Sequence, residues 1–345
     1  MDDIDLAVLN VLETMLMTST YLGFLVVAKR SNELKNVIIS MRKEIADQNL
    51  TENVEEKRLY FSYNNISCNI SKYMSLASLF TVTLMYARPF VDLLVAFDPG
   101  NSSTMPYHLP FRAHIIFDYN SPRLYTLVYV YQFPLMYVPL LHVAEVGLIV
   151  NLTLHLCAKL SILVYRIRNI RIDSTKSFKD GIKQTVLMHL ELKDNSSRIV
   201  CRKIVFYRYS ETLNNNFNMM LLIELVSCGV RLGLSLYLVL IKLDVDKIAT
   251  INFIIHTFVV GSFLYLYSYV GEQVVYESQQ LSDAFYDIRW SDIEGNERKA
   301  LIMCMMNGQK TMHITAGKFY TFSLFGFTEI VKSSMACFSM LRAGM

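Results

Sequence analysis

Six long apolar stretches, separated by more polar segments, run along the 345-residue chain. About 20 apolar residues in a helix are enough to cross the hydrocarbon core of a bilayer, and each stretch reaches that length. The pattern therefore predicts an all-α fold: a polytopic membrane helical bundle with long helices that project into the cytoplasm. The six predicted spans are residues 6–28, 74–97, 124–163, 217–241, 251–276 and 315–341.

The segments between these spans alternate between many and few basic residues. Residues 29–73 contain eight Lys and Arg and residues 165–216 contain eleven, whereas residues 98–123 and 242–250 contain two each. Residues 285–314 again contain four. Because loops rich in Lys and Arg stay on the cytoplasmic side, the first, third and fifth loops are predicted to be inside. Six spans then leave both chain ends outside.

The third span is longer than one crossing requires, so two short spans or one long helix could account for it. Asn151, His155 and Lys159 recur every four residues, which places them on one helical face. Two spans would also break the alternation of charge. We therefore predict one long helix, either kinked near Pro134 and Pro139 or with both prolines fitting its first turns.

The polar segments after the third and fifth spans remain typical of helices although they are charged. We expect cytoplasmic helices at about residues 164–216 and 277–314, within one transmembrane domain that covers residues 1–345. The net charge of +3 is small, and the basic residues are explained by topology rather than by nucleic-acid binding. No zinc, nucleotide or catalytic motif occurs in the sequence, which predicts a protein that is not an enzyme and has no metal or other cofactor.

Several ionisable residues lie inside the predicted spans, where each costs about 2.5–3.5 kcal/mol at the bilayer centre on insertion scales. Glu224 and Arg231 share a helix face, and Glu329 and Lys332 are close enough for an ion pair. These pairs indicate either a hydrated pathway in the last span or structural charge pairs near helix ends. The full set is Glu13, Asp92, Glu145, Glu224, Arg231, Glu272, Glu329 and Lys332.

Three motifs, in their order and spacing, resemble those of insect odorant receptors, which are ligand-gated cation channels. The first is LPFRAHIIFDYNSP at 109–122, followed by LYTLVYVYQ at 124–132. The second begins with YES at 276–278 and continues to Trp290, and the third is AGKFYTFSL at 316–324 with its continuation to Leu341. The chain departs from the family pattern at His114 and Ile116, where an aromatic residue and a proline are frequent.

The resemblance implies a seven-helix subunit of the plasma membrane of sensory dendrites. The span at 6–28 then corresponds to the second family helix, and the first helix is expected to be absent. A tuning subunit of this kind assembles with a shared co-receptor into a heterotetramer around one pore. The last helix lines that pore, with Glu329 and Lys332 along it and Met340 at the hydrophobic gate. Small volatile ligands bind within the bundle, where the candidate residues are Met17, Tyr21, Tyr86, Tyr137 and Tyr267.

Other classes of membrane protein remain as alternatives. A G-protein-coupled chemoreceptor has the opposite orientation, which the basic loops disfavour. A secondary transporter is disfavoured because no inverted repeat is visible. A truncated, non-functional receptor is the remaining alternative.

Asn101 provides a direct test of this orientation. It is the only one of six glycosylation acceptor tripeptides that falls in a loop predicted to be outside. We expect the chain expressed in insect cells to lose mass on glycosidase treatment, and Asn101→Gln to abolish that loss. The matched control, Asn65→Gln in a cytoplasmic loop, should keep it. A mass loss that survives Asn101→Gln would contradict the predicted orientation.

Overall fold

The computed structural model describes residues 3–46, 53–96, 109–111, 121–169, 198–242, 247–288, 302, 305–306 and 311–344. Helices make up nearly all of these residues, which confirms the all-α class. The helices are α1 (Asp3–Lys29), α2 (Ser31–Ala46), α3 (Val54–Ala96), α4 (Pro122–Tyr131), α5 (Tyr137–Arg168), α6 (Arg198–Lys242), α7 (Lys247–Tyr286) and α8 (Leu324–Gly344). Two short strands, β1 (Thr315–Ala316) and β2 (Tyr320–Thr321), precede α8.

Four helical segments in the described part are long and apolar enough to cross a membrane. They are Ala7–Lys29, Pro122–Arg168, Glu211–Lys242 and Thr250–Tyr286. These segments coincide with the first, third, fourth and fifth predicted spans. The count of six spans stays a prediction. Asn101, by contrast, lies outside the described residues.

The third predicted span is one helical run with a short interruption. Helix α4 ends at Tyr131, residues Phe133–Met136 form a turn of 3₁₀-helix, and α5 continues to Arg168. Pro134 lies in the 3₁₀ turn and Pro139 in the first turn of α5, where a missing backbone N–H costs no helical hydrogen bond. Each of the two predicted roles is therefore present. Pro134 interrupts the long helix, and Pro139 fits into the first turn of α5.

Helix α5 is the centre of the bundle. It packs against α1, α3 and α7, and side chains on every face of its inner two-thirds are buried. Val146, Val150, Cys157 and Leu160 are fully inaccessible to solvent. Helix α5 is therefore the common packing partner of α1, α3 and α7.

One face of α5 carries polar side chains that pair with α3. Ser67 and Ser71 of α3 both donate to the amide oxygen of Asn151. The Tyr60 hydroxyl lies 3.5 Å from Nδ1 of His155, one helical turn further along the same face of α5. The predicted face that contains Asn151 and His155 is thus a polar seam between two helices. Such interhelical hydrogen bonds replace the water that a bilayer lacks.

Towards the C-terminal end of α5, the seam ends in a buried ion pair. Nε and Nη2 of Arg166 donate to the two carboxylate oxygens of Glu56, at 2.9 and 2.6 Å. Nearby, the Tyr63 hydroxyl donates to Glu277 of α7. Burial, and then the hydrogen bond to Glu277, hold the pKa of the Tyr63 phenol well above its usual value. Helices α3, α5 and α7 are therefore joined at this end.

The start of the last helix differs from its prediction. Apolar composition predicted a span from residue 315, but α8 begins at Leu324. The intervening residues form an antiparallel hairpin in which Thr315 pairs with Thr321. Gly317 and Lys318 at its turn have φ angles of +62° and +66°, a backbone conformation that a helix does not contain. Hydrophobicity alone carries no information on this turn.

Side chains of two other helices hold the hairpin in place. Asn214 of α6 accepts from the backbone N–H of Thr315 at 2.7 Å, and Asn218 accepts from that of Lys318 at 3.0 Å. Glu272 of α7 accepts from the N–H of Leu324 at 3.1 Å. Because the first N–H groups of a helix lack helical partners, this carboxylate caps α8 from a neighbouring helix.

Breaking the buried ion pair should destabilise the bundle. Glu56→Gln leaves the Arg166 guanidinium largely buried without a counter-charge, and we expect a cost of about 3 kcal/mol in thermal or denaturant unfolding. The adjacent exposed carboxylate offers a matched control: Glu55→Gln should change stability by less than about 0.5 kcal/mol. The double variant Glu56→Arg/Arg166→Glu should recover part of the loss. Equal effects of Glu55→Gln and Glu56→Gln would refute the ion pair.

Two glycines of α7 should respond oppositely to the same substitution. A methyl group at Gly271 would lie 2.3 Å from the backbone oxygen of Phe322, whereas one at Gly261 meets no described atom within 4 Å. We expect Gly271→Ala to cost about 1–3 kcal/mol, because the hairpin must move. Gly261→Ala should stabilise by about 0.5–1 kcal/mol through helix propensity. A Gly271→Ala variant as stable as Gly261→Ala would show that α7 and the hairpin are not in close contact.

Candidate functional site

Polar side chains from three helices, α5, α6 and α7, meet in the interior of the bundle. We name this set the central polar cluster. Its members are His142 and Glu145 of α5, Glu224, Cys228 and Arg231 of α6, and His256 and Tyr267 of α7. Ionisable groups at this depth are costly, so their retention marks a candidate functional site.

The carboxylate of Glu224 is the point at which the cluster converges. Nε2 of His142 lies 3.3 Å from its Oε1 atom, and Nη2 of Arg231 lies 3.7 Å from the same oxygen. The Cys228 thiol also donates to Oε1, at 3.2 Å. The side chains of His142, Glu224 and Arg231 are each no more than 7% exposed. The predicted pairing of Glu224 with Arg231 is present, and His142 joins it from another helix.

Much of the hydrogen-bonding capacity of this cluster is unused. Across the described part of the chain, no hydrogen-bond partner occurs for His142 Nδ1, Glu145 Oε1, Arg231 Nε or His256 Nδ1, and all four atoms are buried. The hydroxyl oxygens of Ser227 and Ser268 are in the same condition. A buried polar group without a partner is costly, so native proteins satisfy such groups with water or with a ligand. The described residues therefore leave part of the hydrogen-bonding capacity of the cluster unused.

The side chain of Glu145 has room at its position because residue 23 of α1 is a glycine. Its carboxylate lies against Gly23 of α1, where a methyl group on the glycine would come within 2.6 Å of Oε2. Gly23 and Glu145 thus bring α1 and α5 into close approach beside the cluster. The carboxylate lies at the junction of the two helices, with no side chain of residue 23 covering it.

Tyr267 is the predicted ligand-binding residue that the structure brings to this site. Its side chain is 2% exposed and its hydroxyl interacts electrostatically with Glu224, Glu145 and Arg231. Its ring centroid also lies 5.7 Å from that of Phe322, just before α8. Tyr267 is therefore within electrostatic range of the polar cluster and in ring contact with the segment that leads into the last helix.

The other predicted ligand-binding residues lie elsewhere. Tyr86 exchanges hydrogen bonds with Tyr129, its hydroxyl donating to the Tyr129 carbonyl at 2.8 Å while the Tyr129 hydroxyl donates to the Tyr86 carbonyl. The ring of Phe133 lies 5.9 Å from that of Tyr86 and 6.0 Å from that of Tyr137, which completes an aromatic cluster at the N-terminal end of α5. Tyr86 and Tyr137 thus share one cluster, separate from the contacts of Tyr267.

No hydrogen bond or ring contact within the described residues links Met17 or Tyr21 of α1 to the aromatic cluster or to the polar cluster. Met17 is half-buried, and Tyr21 is 63% exposed on the surface of the single chain. The choice of these five residues stays a prediction.

The predicted pore residues lie on an exposed face of α8. Nζ of Lys332 donates to Oε1 of Glu329 at 3.1 Å, as the spacing of three residues predicts. Met340 is 77% exposed. In the described part of the chain, no group of three or more His, Cys, Asp and Glu side chains could hold a metal ion.

Sequence reasoning missed the two histidines of the polar cluster. His142 precedes Glu145 by three residues, which places both on one face of α5, and this spacing was the available signal. His256 has no such signal, because its proximity to Arg231 arises only from the packing of α7 against α6.

The fold is similar to that of a solved insect receptor. The olfactory receptor OR5 from Machilis hrabei matches 99% of this chain and 82% of its own with a TM-score of 0.68 and 12% sequence identity. Its structure in complex with eugenol matches 100% of this chain and 83% of its own with a TM-score of 0.71, also at 12% identity. At this identity the likeness concerns the fold, and it confirms the predicted membrane helical bundle.

Curated insect proteins are similar in sequence over parts of the chain. Odorant receptor Or2 of Anopheles gambiae is 28% identical over 135 residues, which is 39% of this chain and 35% of that receptor. Odorant receptor 10 of Aedes albopictus is 24% identical over 48% of this chain and 44% of its own length. Odorant receptor 13a of Drosophila melanogaster is 22% identical over 82% of this chain and 69% of its own. The chain thus spans less than half the length of the first two relatives.

A sequence model of the 7tm odorant receptor family matches residues 3–335, nearly the whole chain. This match confirms the resemblance inferred from the three motifs. It also confirms the prediction that the protein is not an enzyme, since the family consists of multi-pass membrane receptors. The chain belongs to the 7tm odorant receptor family.

Proposed function

We propose that this chain is an odorant-binding subunit of a ligand-gated channel in the plasma membrane. It binds small volatile molecules within the helical bundle and, together with a shared co-receptor subunit, gates a non-selective cation pore. The observation that carries the proposal is the contact between Tyr267 and Phe322. That contact connects the buried polar cluster with the segment that leads into α8.

A ligand can drive gating only if it binds the open arrangement better than the closed one. In this chain, a ligand against Tyr267 would act on α7, whose Gly271 and Glu272 hold the hairpin before α8. A small shift of α7 would therefore move the first turn of α8. Contact between Gly271 and Phe322 is close enough that the two segments must move together.

Helix α8 supplies the pore in this proposal. Its exposed face carries the Glu329–Lys332 pair and, further along, Met340. A ring of methionine side chains from several subunits would form an apolar constriction, which closes by excluding water. The charged pair would keep the wider part of the pore hydrated. Exposure of this face in the single chain fits a surface that other subunits and water cover.

The proposed ligand class follows from the residues around the two clusters and from the relatives. Aromatic rings surround Tyr86 and Tyr267, which suits small organic molecules with an apolar body. A relative of the same fold has been solved in complex with eugenol, a molecule of this size and character. Partnership with a co-receptor rests on the family to which the chain belongs.

The proposal is tested by whole-cell current recording from cells that express this chain with an insect odorant co-receptor. A broad panel of volatiles that includes eugenol should evoke a cation current above that of cells with the co-receptor alone. Tyr267→Ala should abolish or strongly reduce the current, whereas Tyr73→Ala, at an exposed site on α3, should leave it within about twofold. Absence of current, with the chain detected at the cell surface, would contradict the proposed function.

A further inference from the structure

We propose that the central polar cluster binds the head group of a ligand that donates a hydrogen bond, an alcohol or a primary amine, and that Glu145 is the acceptor. This inference rests on the proposed function, because it names the ligand class of the same bundle interior. It predicts discrimination between head groups, which an apolar aromatic lining cannot provide.

Charge within the cluster favours a donor over an acceptor. The cluster contains two carboxylates, Glu145 and Glu224, and one guanidinium, Arg231. Glu224 is engaged by Arg231, His142 and Cys228. In the described part of the chain, no ion pair or hydrogen bond reaches Oε1 of Glu145. Glu145 is therefore the carboxylate whose acceptor capacity remains available.

The neighbours of Glu145 do not consume this capacity. The described titratable groups of the cluster are Glu224, Cys228 and Arg231 on α6, His142 on α5, and His256 and Tyr267 on α7, and none of them hydrogen-bonds to Oε1 of Glu145. Glu224 repels a second carboxylate rather than satisfying it. Gly23 of α1 presents only backbone to the Glu145 side chain. A donor to Glu145 must consequently come from water or from a ligand.

An apolar wall next to the polar groups gives the ligand its orientation. The ring of Phe263 lies 5.0 Å from that of His142, and the ring of Tyr267 is fully enclosed on the same side of α7. A short alkyl or aryl body would pack on these rings while its hydroxyl or ammonium group faces Glu145. Aromatic faces also favour a nearby ammonium group.

Depth in the membrane makes this hydrogen bond selective. Gly23 precedes Lys29, at the cytoplasmic end of α1, by six residues, which corresponds to a rise of about 9 Å along the helix. Glu145 beside it is therefore inside the hydrocarbon layer, where bulk water does not compete. A buried site that pairs with a hydrogen-bond donor strongly rejects analogues without that donor, because its own polar group is then left unpaired. An apolar pocket discriminates much less between ligands that differ by one methylene.

The test measures ligand-induced stabilisation of the purified full chain, without any need for channel activity. Unfolding is followed by the far-ultraviolet circular dichroism of the helices, which make up nearly all of the described residues. Hexan-1-ol and hexan-1-amine should raise Tm in a concentration-dependent manner, because a ligand that binds only the folded state stabilises it. Hexyl methyl ether, with a similar body but no donor, should give a Kd at least about tenfold weaker.

Three substitutions separate the role of Glu145 from a general loss of structure. Glu145→Gln removes the carboxyl group that can form an ion pair with an ammonium group and should weaken the amine at least about tenfold while affecting the alcohol less, because the amide oxygen still accepts. Gly23→Ala should weaken both ligands, since the added methyl group displaces the carboxylate. The control Glu211→Gln, at an exposed carboxylate of α6, should leave both affinities unchanged.

The possible outcomes test the ligand class and the channel function separately. Equal stabilisation by the ether and the alcohol would overturn it, as would unchanged affinities in both Glu145→Gln and Gly23→Ala. If odorants evoke currents but neither the alcohol nor the amine stabilises the chain, the ligand class is wrong and the channel function stands. If both stabilise the wild-type chain and no odorant evokes current, the ligand class stands and the channel function fails.

Discussion

The structure depends on the need of polar groups inside a bilayer to find their partners within the protein. No water from the hydrocarbon layer can satisfy them, so each polar side chain of the central helix α5 requires a neighbour at the right height. On its α3 side this requirement is met by Ser67, Ser71 and Tyr60, and near the C-terminal end of α5 by Glu56. These hydrogen bonds align α3 with α5 over several turns.

The opposite side of α5 also has polar residues, but the described residues provide partners for only some of their polar atoms. His142 reaches Glu224 of α6, but Glu145 and several buried nitrogens lack partners in the described residues. A satisfied set of polar groups makes a rigid helix pair, whereas an unsatisfied set has capacity for a molecule that arrives from outside. One helix thus combines a structural face and a functional face, and the difference between them lies in the neighbours, not in α5 itself.

A close approach between two backbones connects α7 with the segment that precedes α8. Gly271 lets α7 touch the backbone of Phe322, and Glu272 one residue later caps α8. Asparagines of α6 hold the remaining edge of the hairpin. The last helix is therefore attached to α6 and α7 through a short irregular segment. Such a segment can change its angle without breaking a long helix, which suits a connection to a gate.

The sequence by itself determined the helical class, the polar face of α5 and the family, and it also predicts an orientation in the membrane. Each of these follows from local periodicity, loop charge or ordered motifs, which need no knowledge of neighbouring helices. The ion pair between Glu329 and Lys332 was also predictable, because both residues belong to one helix turn. The same reasoning placed the start of the last helix nine residues too early, because composition cannot reveal the positive φ angles of Gly317 and Lys318.

Only the tertiary structure decided which residues meet. His142 and Glu224 are 82 positions apart, and their contact depends on how α5 packs near α6. The predicted ligand-binding tyrosines were chosen for their chemistry, yet Tyr267 lies at the polar cluster while Tyr86 and Tyr137 share an aromatic cluster elsewhere. Helix rotation and crossing set these distances, and they arise from packing between segments far apart in the chain, which a single sequence does not encode in any local pattern.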